Sequence, residues 1–457
     1  MSSDTIAACA TGNSLTAIGI LRISGPDTIP ALEGVFRPYH LGSMAEAPNR
    51  KLIYGELLDS DGSVLDICLC TVSRAPHSYT GEDTAELQCH GSPAVMEAGL
   101  RALFRHGVRQ ALPGEFSKRA FLNGCMDLTQ AEAVIDLIEA QTAEAAKNAA
   151  SQLGKAITRE TEAIRSRLTD IMAHFHAVLD YPDEDIDDFA MERYLTVMEE
   201  SREVLSRLLG TFARGSVLKN GVPCAVIGRP NTGKSSLMNA LLGYDRAIVT
   251  DIPGTTRDTI EEKVRCGRVL LRLTDTAGIR ETSDPVEKLG VSRSQQAAEE
   301  ASLVLAVLDA SQPLTDEDRA ILTLARKADK SLAIFNKCDL EQVLSEEELP
   351  DGISGTVRIS ALHHEGIEAL CEKIEALFPA GKDGGAEVML TNARQAEAVQ
   401  RAVDGLDSAM EAARSGITPD AVLTGVEDAL YALGELSGAS VREDITHRIF
   451  SRFCVGK

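Results

Sequence analysis

The stretch GRPNTGKS, Gly228 to Ser235, constrains this chain more than any other. It follows the apolar run Cys224 to Ile227 and precedes a helical pattern, the strand, Gly-rich loop and helix order that a phosphate-binding P-loop requires. Its glycines let backbone N–H groups approach phosphates, Lys234 brings a positive charge to the β and γ phosphates, and Ser235 offers a hydroxyl to magnesium. Apolar runs at 223–227, 268–273, 303–308, 331–335 and 356–359 alternate with helical stretches around it. That alternation predicts a Ras-like α/β domain over 217–380.

A second element, Asn336-Lys337-Cys338-Asp339, closes the run Ser331 to Phe335. The carboxylate of Asp339 can accept from guanine N1–H and the 2-amino group, and adenine lacks both donors. An unpaired carboxylate against adenine would cost about 1–3 kcal/mol, which selects guanine. Between the two lies Asp275-Thr276-Ala277-Gly278, which places a carboxylate near magnesium and a glycine amide near the γ phosphate. Ser360-Ala361-Leu362 is expected to border the base. Upstream, TDIPGTTRD runs Thr250, Asp251, Ile252, Pro253, Gly254, Thr255, Thr256 and on to Asp258, and it can close over magnesium through Thr256 as a switch loop does. With Asn231, Thr232, Gly233, Lys234, Ser235 and Ser236 of the P-loop these elements form the expected GTP site, with magnesium on Ser235 and Thr256. Ile279 follows Gly278, so the glutamine that orients water in Ras-like GTPases is missing. Glu287, in the nearby charged loop, is a substitute; taken alone it reads as a solvated carboxylate.

A chain of 457 residues calls for two to four domains, so the nucleotide domain is not the whole protein. The net charge of −23 excludes a surface that clamps nucleic acid everywhere and confines RNA contact to local patches. Ten cysteines without a CxxC pair read as reduced cytosolic thiols. With no leader and no apolar run of about 18 residues, the expectation is a cytoplasmic protein without a membrane span.

Residues 1–118 mix short β-like runs, such as Ile18 to Ile23 and Ile67 to Val72, with turn signals and predict an α+β domain. From Thr129 a capping-box pattern with Glu132 and apolar residues at helical spacing predict long helices to about residue 210, in a first helical half spanning 119–216. The acidic stretch Asp183 to Asp188 reads as a solvated loop. Beyond the Gly-rich segment Gly381 to Gly385 the helical pattern resumes over 381–457, with Thr418-Pro419 as cap and first-turn pair and Gly438 as stop. The simplest geometry is a GTPase domain inserted into a helical domain.

Several motifs together carry a resemblance. DTIAACAT and IGILRISG near the start, SYTGEDTAELQCHG at 78–91, PGEFSKRAFLNG at 113–124, GRPNTGKSSLMNAL, TDIPGTTRD, DTAGIRE and the closing FCVGK make the chain resemble the MnmE (TrmE) family along essentially its whole length. The resemblance implies an N-terminal domain that binds 5-formyltetrahydrofolate or methylenetetrahydrofolate and supports a homodimer. It also implies a heterotetramer with an MnmG-like flavoprotein carrying FAD. Together they would attach an aminomethyl or carboxymethylaminomethyl group at C5 of the wobble uridine of tRNA. Folate contacts would fall on Arg22, Glu86, Cys125 and Lys457, with Cys454 beside the last. Read alone, Arg22 is a surface cation, Glu86 an exposed strand residue and the final four residues a frayed tail. The family usually has Lys at position 125. A thiol supplies no ammonium, so that contact would move to Lys118 or Arg119, and Cys125 reads as a buried thiol. The resemblance further implies potassium held by Asn231, Thr250, Ile252 and Thr255, and Glu287 as the water-orienting base. A different class, an RNA-binding ribosome-assembly GTPase switch, would predict a basic appendage that this acidic sequence lacks.

Overall fold

The computed structural model describes residues 4–12, 15–180, 191–244, 262–274, 297–378, 388–416, 418–440, 446, 449–451, 453 and 455–456. The chain divides into two compact units, one of Met1–Ile135, Gln152–Arg202 and Arg401–Lys457, the other of Asp136–Ser151 and Glu203–Gln400. The acidic stretch Asp183 to Asp188 and the Gly-rich segment Gly381 to Gly385 lie outside the described residues.

In the first unit, strands β1 (Ile6–Cys9), β2 (Ile18–Ser24), β3 (Phe36–Pro38), β4 (Ile53–Leu58), β5 (Val64–Ser73), β6 (Thr84–His90) and β7 (Arg109–Gln110) form one sheet in the order β3-β4-β5-β6-β2-β1-β7. All pairs are antiparallel except β1 with β7. Period-2 alternation sends Cys68, Cys70 and Val72 of β5 and Leu21 and Ile23 of β2 into the core. They pack with Leu32 and Val35 of α1 (Thr28–Val35) and Leu103 of α2 (Pro93–Arg105). Helix α3 (Glu115–Leu122) follows β7.

The helices that follow are α4 (Leu128–Glu139), α5 (Ala143–Leu153), α6 (Ala156–Asp180), α7 (Met191–Gly210) and α8 (Phe212–Asn220). The start of α4 corrects the expected cap. Asp127, not Thr129, precedes the helix: its Oδ1 accepts from the Gln130 amide at 2.9 Å, and Gln130 Oε1 accepts from the Asp127 amide at 3.1 Å. Thr129 sits inside the first turn and donates to Asp127. The reciprocal pair is therefore Asp127 with Gln130, two residues upstream of the expected one.

The second unit holds β8 (Val222–Ile227), α9 (Lys234–Tyr244), β9 (Glu262–Cys266), β10 (Val269–Thr274), β11 (Leu303–Asp309), α10 (Asp316–Ala325), β12 (Lys330–Asn336), β13 (Gly355–Arg358) and α11 (Ile367–Leu377). Its sheet runs β13-β12-β11-β8-β10-β9, parallel apart from the edge strand β9. Every residue of β11 is buried, as a central strand covered on both faces demands. One apolar cluster packs Leu237 and Leu241 of α9 and Leu370 and Ile374 of α11 against the sheet, and the other packs Leu322 and Ala325 of α10. All five apolar runs expected as strands are strands. The sequence reading lacked β9, because Glu262, Lys263 and Arg265 interrupt its apolar residues, and only Val264 and Cys266 are buried.

Helices α12 (Ala393–Arg414) and α13 (Pro419–Ser437) follow, α13 packing along α6. Pro419 opens α13 and Gly438 ends it at φ 93°, as expected, although the Thr418 side chain makes no capping bond.

Candidate nucleotide-binding site

A cleft of about 520 Å³ is lined by residues that follow the C-terminal ends of β8 and β12, on either side of β11, the kind of position at which open α/β sheets bind ligands. Asn231, Gly233, Lys234, Ser235 and Ser236 line one end, and Asn336, Lys337, Asp339, Leu340 and Leu362 line the other. The elements read from sequence as phosphate-binding and base-binding thus share one cavity.

The phosphate end is a tight loop. A Cβ on Gly228 would lie 2.5 Å from the Val307 carbonyl oxygen of β11, so a side chain there would push the loop off the sheet. At Gly233, φ is 95° and a Cβ would collide with Asn336 Nδ2. Asn231 holds φ 63°, a left-handed conformation that asparagine tolerates. Lys234 Nζ donates to the carbonyl oxygens of Gly228 and Arg229, each at 2.8 Å, and burial pushes its ammonium below the usual lysine range. Two neutral carbonyls are weak partners for that charge, and a triphosphate would supply anionic ones. Ser235 is exposed at the first turn of α9, where helix N–H groups favour anions.

The base end is held from behind. Asn336 is 3% exposed; its Nδ2 donates to the Thr232 carbonyl at 2.7 Å and its Oδ1 accepts from the Ala361 amide at 3.0 Å. One side chain therefore ties the P-loop to the 360–362 loop. The Cys338 amide donates to the Ile359 carbonyl at 3.0 Å, and burial raises the Cys338 thiol above its usual value. Asp339 Oδ1 accepts from Ser360 Oγ at 2.5 Å, and this bond holds its carboxyl below the ordinary carboxylate range. Leu340 and Leu362, 50% and 72% exposed, stand at the same end and offer apolar walls to a flat base. Thr232, Ser360 and Ala361 are buried beside these residues, and Cys338 is half-buried. The residues from Thr250 to Thr256, Asp275 to Gly278, and Glu287 lie outside the described residues.

Sequence reasoning missed three residues here. Leu340 carried no signal beyond its place after Asp339. Asp309 and Asp318 grip Lys337 and Arg229 through salt bridges that span 28 and 89 positions of sequence, a separation no local pattern reveals.

In the N-terminal sheet, Arg22 and Glu86 face each other across β2 and β6. Arg22 Nε donates to Glu86 Oε1 at 2.9 Å, Nη1 donates to the Gly456 carbonyl at 3.2 Å, and the guanidinium lies 5.3 Å from the centre of the Tyr79 ring. At 16% exposure Arg22 is no loose surface cation, and the tail at Gly456 is docked rather than frayed. A Cβ on Gly456 would lie 2.5 Å from the Cys9 carbonyl oxygen. Lys457 and Cys454 lie outside the described residues. Two further expectations need correction. Cys125 is exposed, not buried, because it follows the Gly124 turn at the end of α3, and its sulfur stands beside Gly81. Arg119 is 4% exposed and bonded to Asp4, Glu82 and Glu115, so it is not available to a ligand carboxylate.

A family model described as the MnmE helical domain matches residues 128–454, and one described as the GTP-binding protein TrmE N-terminus matches residues 5–125. A tRNA modification GTPase MnmE from Carboxydothermus hydrogenoformans is 42% identical over 100% of both chains. The protein of the same name from a Roseiflexus species is 42% identical over 99% of each. The chain belongs to the MnmE family. A solved G domain, that of the T. maritima FeoB iron transporter, aligns with 34% of this chain and 96% of its own at 26% identity, with a TM-score of 0.25. MnmE membership covers both units, so the seven-stranded sheet and the flanking helices belong to the family pattern as fully as the P-loop sheet does. Among the described residues no helix is long and apolar enough to cross a membrane.

Proposed function

We propose that this chain binds and hydrolyses GTP and that its nucleotide cycle serves modification of the wobble uridine of tRNA in the cytoplasm. The observation that carries the reading is the meeting of the Lys234 loop and the Asp339 loop in one cleft, within a chain that matches MnmE relatives end to end. Lys234 and the N-terminus of α9 hold the triphosphate, Asp339 reads the guanine edge, and Leu340 and Leu362 flank the ring. Ser235, exposed beside Lys234, fits a magnesium ligand, with Thr256 as its partner. Asn231 would contribute an amide oxygen to a potassium site completed by Thr250, Ile252 and Thr255, and cations held there would supply positive charge against the phosphates. Glu287 orients the attacking water in place of the missing glutamine.

In the N-terminal domain, the Arg22–Glu86 pair sets a donor beside an acceptor, a pattern that suits the amide and amino edge of a reduced folate, with the docked tail closing over it. Lys118, half-buried on α3, replaces the lysine absent at 125. Folate supplies the one-carbon unit when bound, and a flavoprotein partner handles redox. We assign 1–118 to folate binding and dimerisation, 217–380 to the GTPase domain, and 119–216 and 381–457 to the helical domain. Nucleoside analysis tests the whole reading. A strain lacking the chain should lose the aminomethyl-type side chain from its wobble uridines, and normal uridine side chains in that strain would overturn it.

A further inference from the structure

The ten residues from Asp309 to Asp318 touch both walls of the nucleotide cleft through two separate carboxylates. Asp309, at the end of β11, is 5% exposed. Its Oδ1 accepts from Ser311 N at 3.1 Å and Ser311 Oγ at 2.6 Å, and its Oδ2 accepts from Lys337 Nζ at 2.6 Å. Lys337 itself has φ 66°, a left-handed conformation that a lysine adopts only when its surroundings impose it. The ion pair ties this residue, which lines the base end, to the end of β11.

Asp318 performs the matching task at the phosphate end. It is 2% exposed. Its Oδ2 closes a capping box with Thr315 at the start of α10, at 3.1 Å to the amide and 2.7 Å to the hydroxyl. The other oxygen, Oδ1, accepts from Arg229 Nε at 3.1 Å, while Arg229 Nη2 donates to Gln312 Oε1 at 3.0 Å. Arg229 is the second residue of the P-loop, and its carbonyl receives both the Lys234 ammonium at 2.8 Å and the Thr232 hydroxyl at 3.0 Å. Fixing the guanidinium therefore fixes the carbonyl that aims Lys234.

We propose that Asp309 and Asp318 are positioning residues for the GTPase reaction, Asp309 holding the base wall through Lys337 and Asp318 holding the phosphate wall through Arg229. This rests on the nucleotide reading of the cleft, and it adds a division of labour that general stiffening would not produce. A carboxylate that shapes the base wall acts on every guanine nucleotide alike. One that aims Lys234 acts only where a phosphate beyond the α position is present, in GDP and GTP but not in GMP.

The test measures equilibrium binding of GTP, GDP and GMP to the purified full-length chain, wild type beside Asp309→Asn, Asp318→Asn and Arg229→Met. Asp309→Asn should weaken all three nucleotides by a similar factor of about tenfold, the ratio that 1.4 kcal/mol sets. Asp318→Asn should weaken GTP and GDP by about tenfold while leaving GMP within about twofold, which narrows the preference for GDP over GMP. Arg229→Met reaches the same contact from the loop side and keeps the Thr315–Asp318 cap, so it should reproduce the Asp318→Asn pattern even where the cap change compromises folding. Variants that bind all three nucleotides as wild type does, or a uniform loss from both carboxylate changes, would overturn the proposal. A wild-type chain that binds none of the three would instead overturn the nucleotide reading itself.

Discussion

Replacing Asn336 with alanine removes one side chain and opens three loops. The Thr232 carbonyl and the Ala361 amide, which Asn336 joins at 2.7 and 3.0 Å, belong to residues only 1% and 3% exposed. Each would be left without its partner, and an unpaired buried polar group costs about 1–3 kcal/mol, or about 2–6 kcal/mol for the two. Both groups sit in loops that face the nucleotide, so much of that loss passes to binding. At 1.4 kcal/mol per decade, the lower bound corresponds to roughly 30-fold weaker guanine nucleotide. Asn336→Asp makes the reasoning sharper: it keeps an acceptor for Ala361 but sets a carboxylate oxygen against the Thr232 carbonyl, and it should bind no better than the alanine variant. The assay is titration with a fluorescent guanine nucleotide, paired with urea unfolding in the absence of nucleotide. Affinity within threefold of wild type, together with an unchanged unfolding midpoint, would refute the argument.

Further outcomes follow from other residues. Burial depresses the Lys234 ammonium, and a bound triphosphate should restore it. Between the two values GTP binding takes up a proton, so affinity should fall as pH rises through that alkaline window; calorimetry in two buffers of different ionisation enthalpy reads the uptake, and pH-independent binding would count against it. Glu287→Ala should leave GTP affinity nearly intact while hydrolysis collapses, and sodium should fail to replace potassium. Equal turnover in the two salts would remove the potassium assignment. Arg22→Met breaks the bonds to Glu86 and to the Gly456 carbonyl, so tetrahydrofolate affinity should drop by about tenfold or more with GTP affinity unchanged. A normal folate affinity would separate that pair from the folate site.

The elements with strong local signatures were legible from sequence. GRPNTGKS must sit between a strand and a helix, and its glycines are irreplaceable for reasons visible in the fold: Gly228 abuts β11 and Gly233 abuts Asn336. The parallel strands read as apolar runs because helices cover both faces of their sheet. Local patterns failed where a tertiary partner decides the outcome. Thr129 looked like a cap, but a better-placed carboxylate at Asp127 took that role. Arg119 looked like an available cation until the fold surrounded it with three carboxylates. Cys125 looked like a core thiol, yet it follows a turn that carries it into solvent. Asp309 and Asp318 gave no sign of the cations they pair with, since Lys337 and Arg229 lie on other segments and only the fold brings them together.

On the proposed reading, Asp339 selects guanine for a triphosphate gripped by Lys234. The most direct measurement is competition between GTP and ATP for the purified full-length chain in potassium and magnesium, followed by hydrolysis of each. GTP should be preferred by about 100-fold or more, a margin that Asp339→Asn should shrink. Equal binding and turnover of the two nucleotides would contradict it.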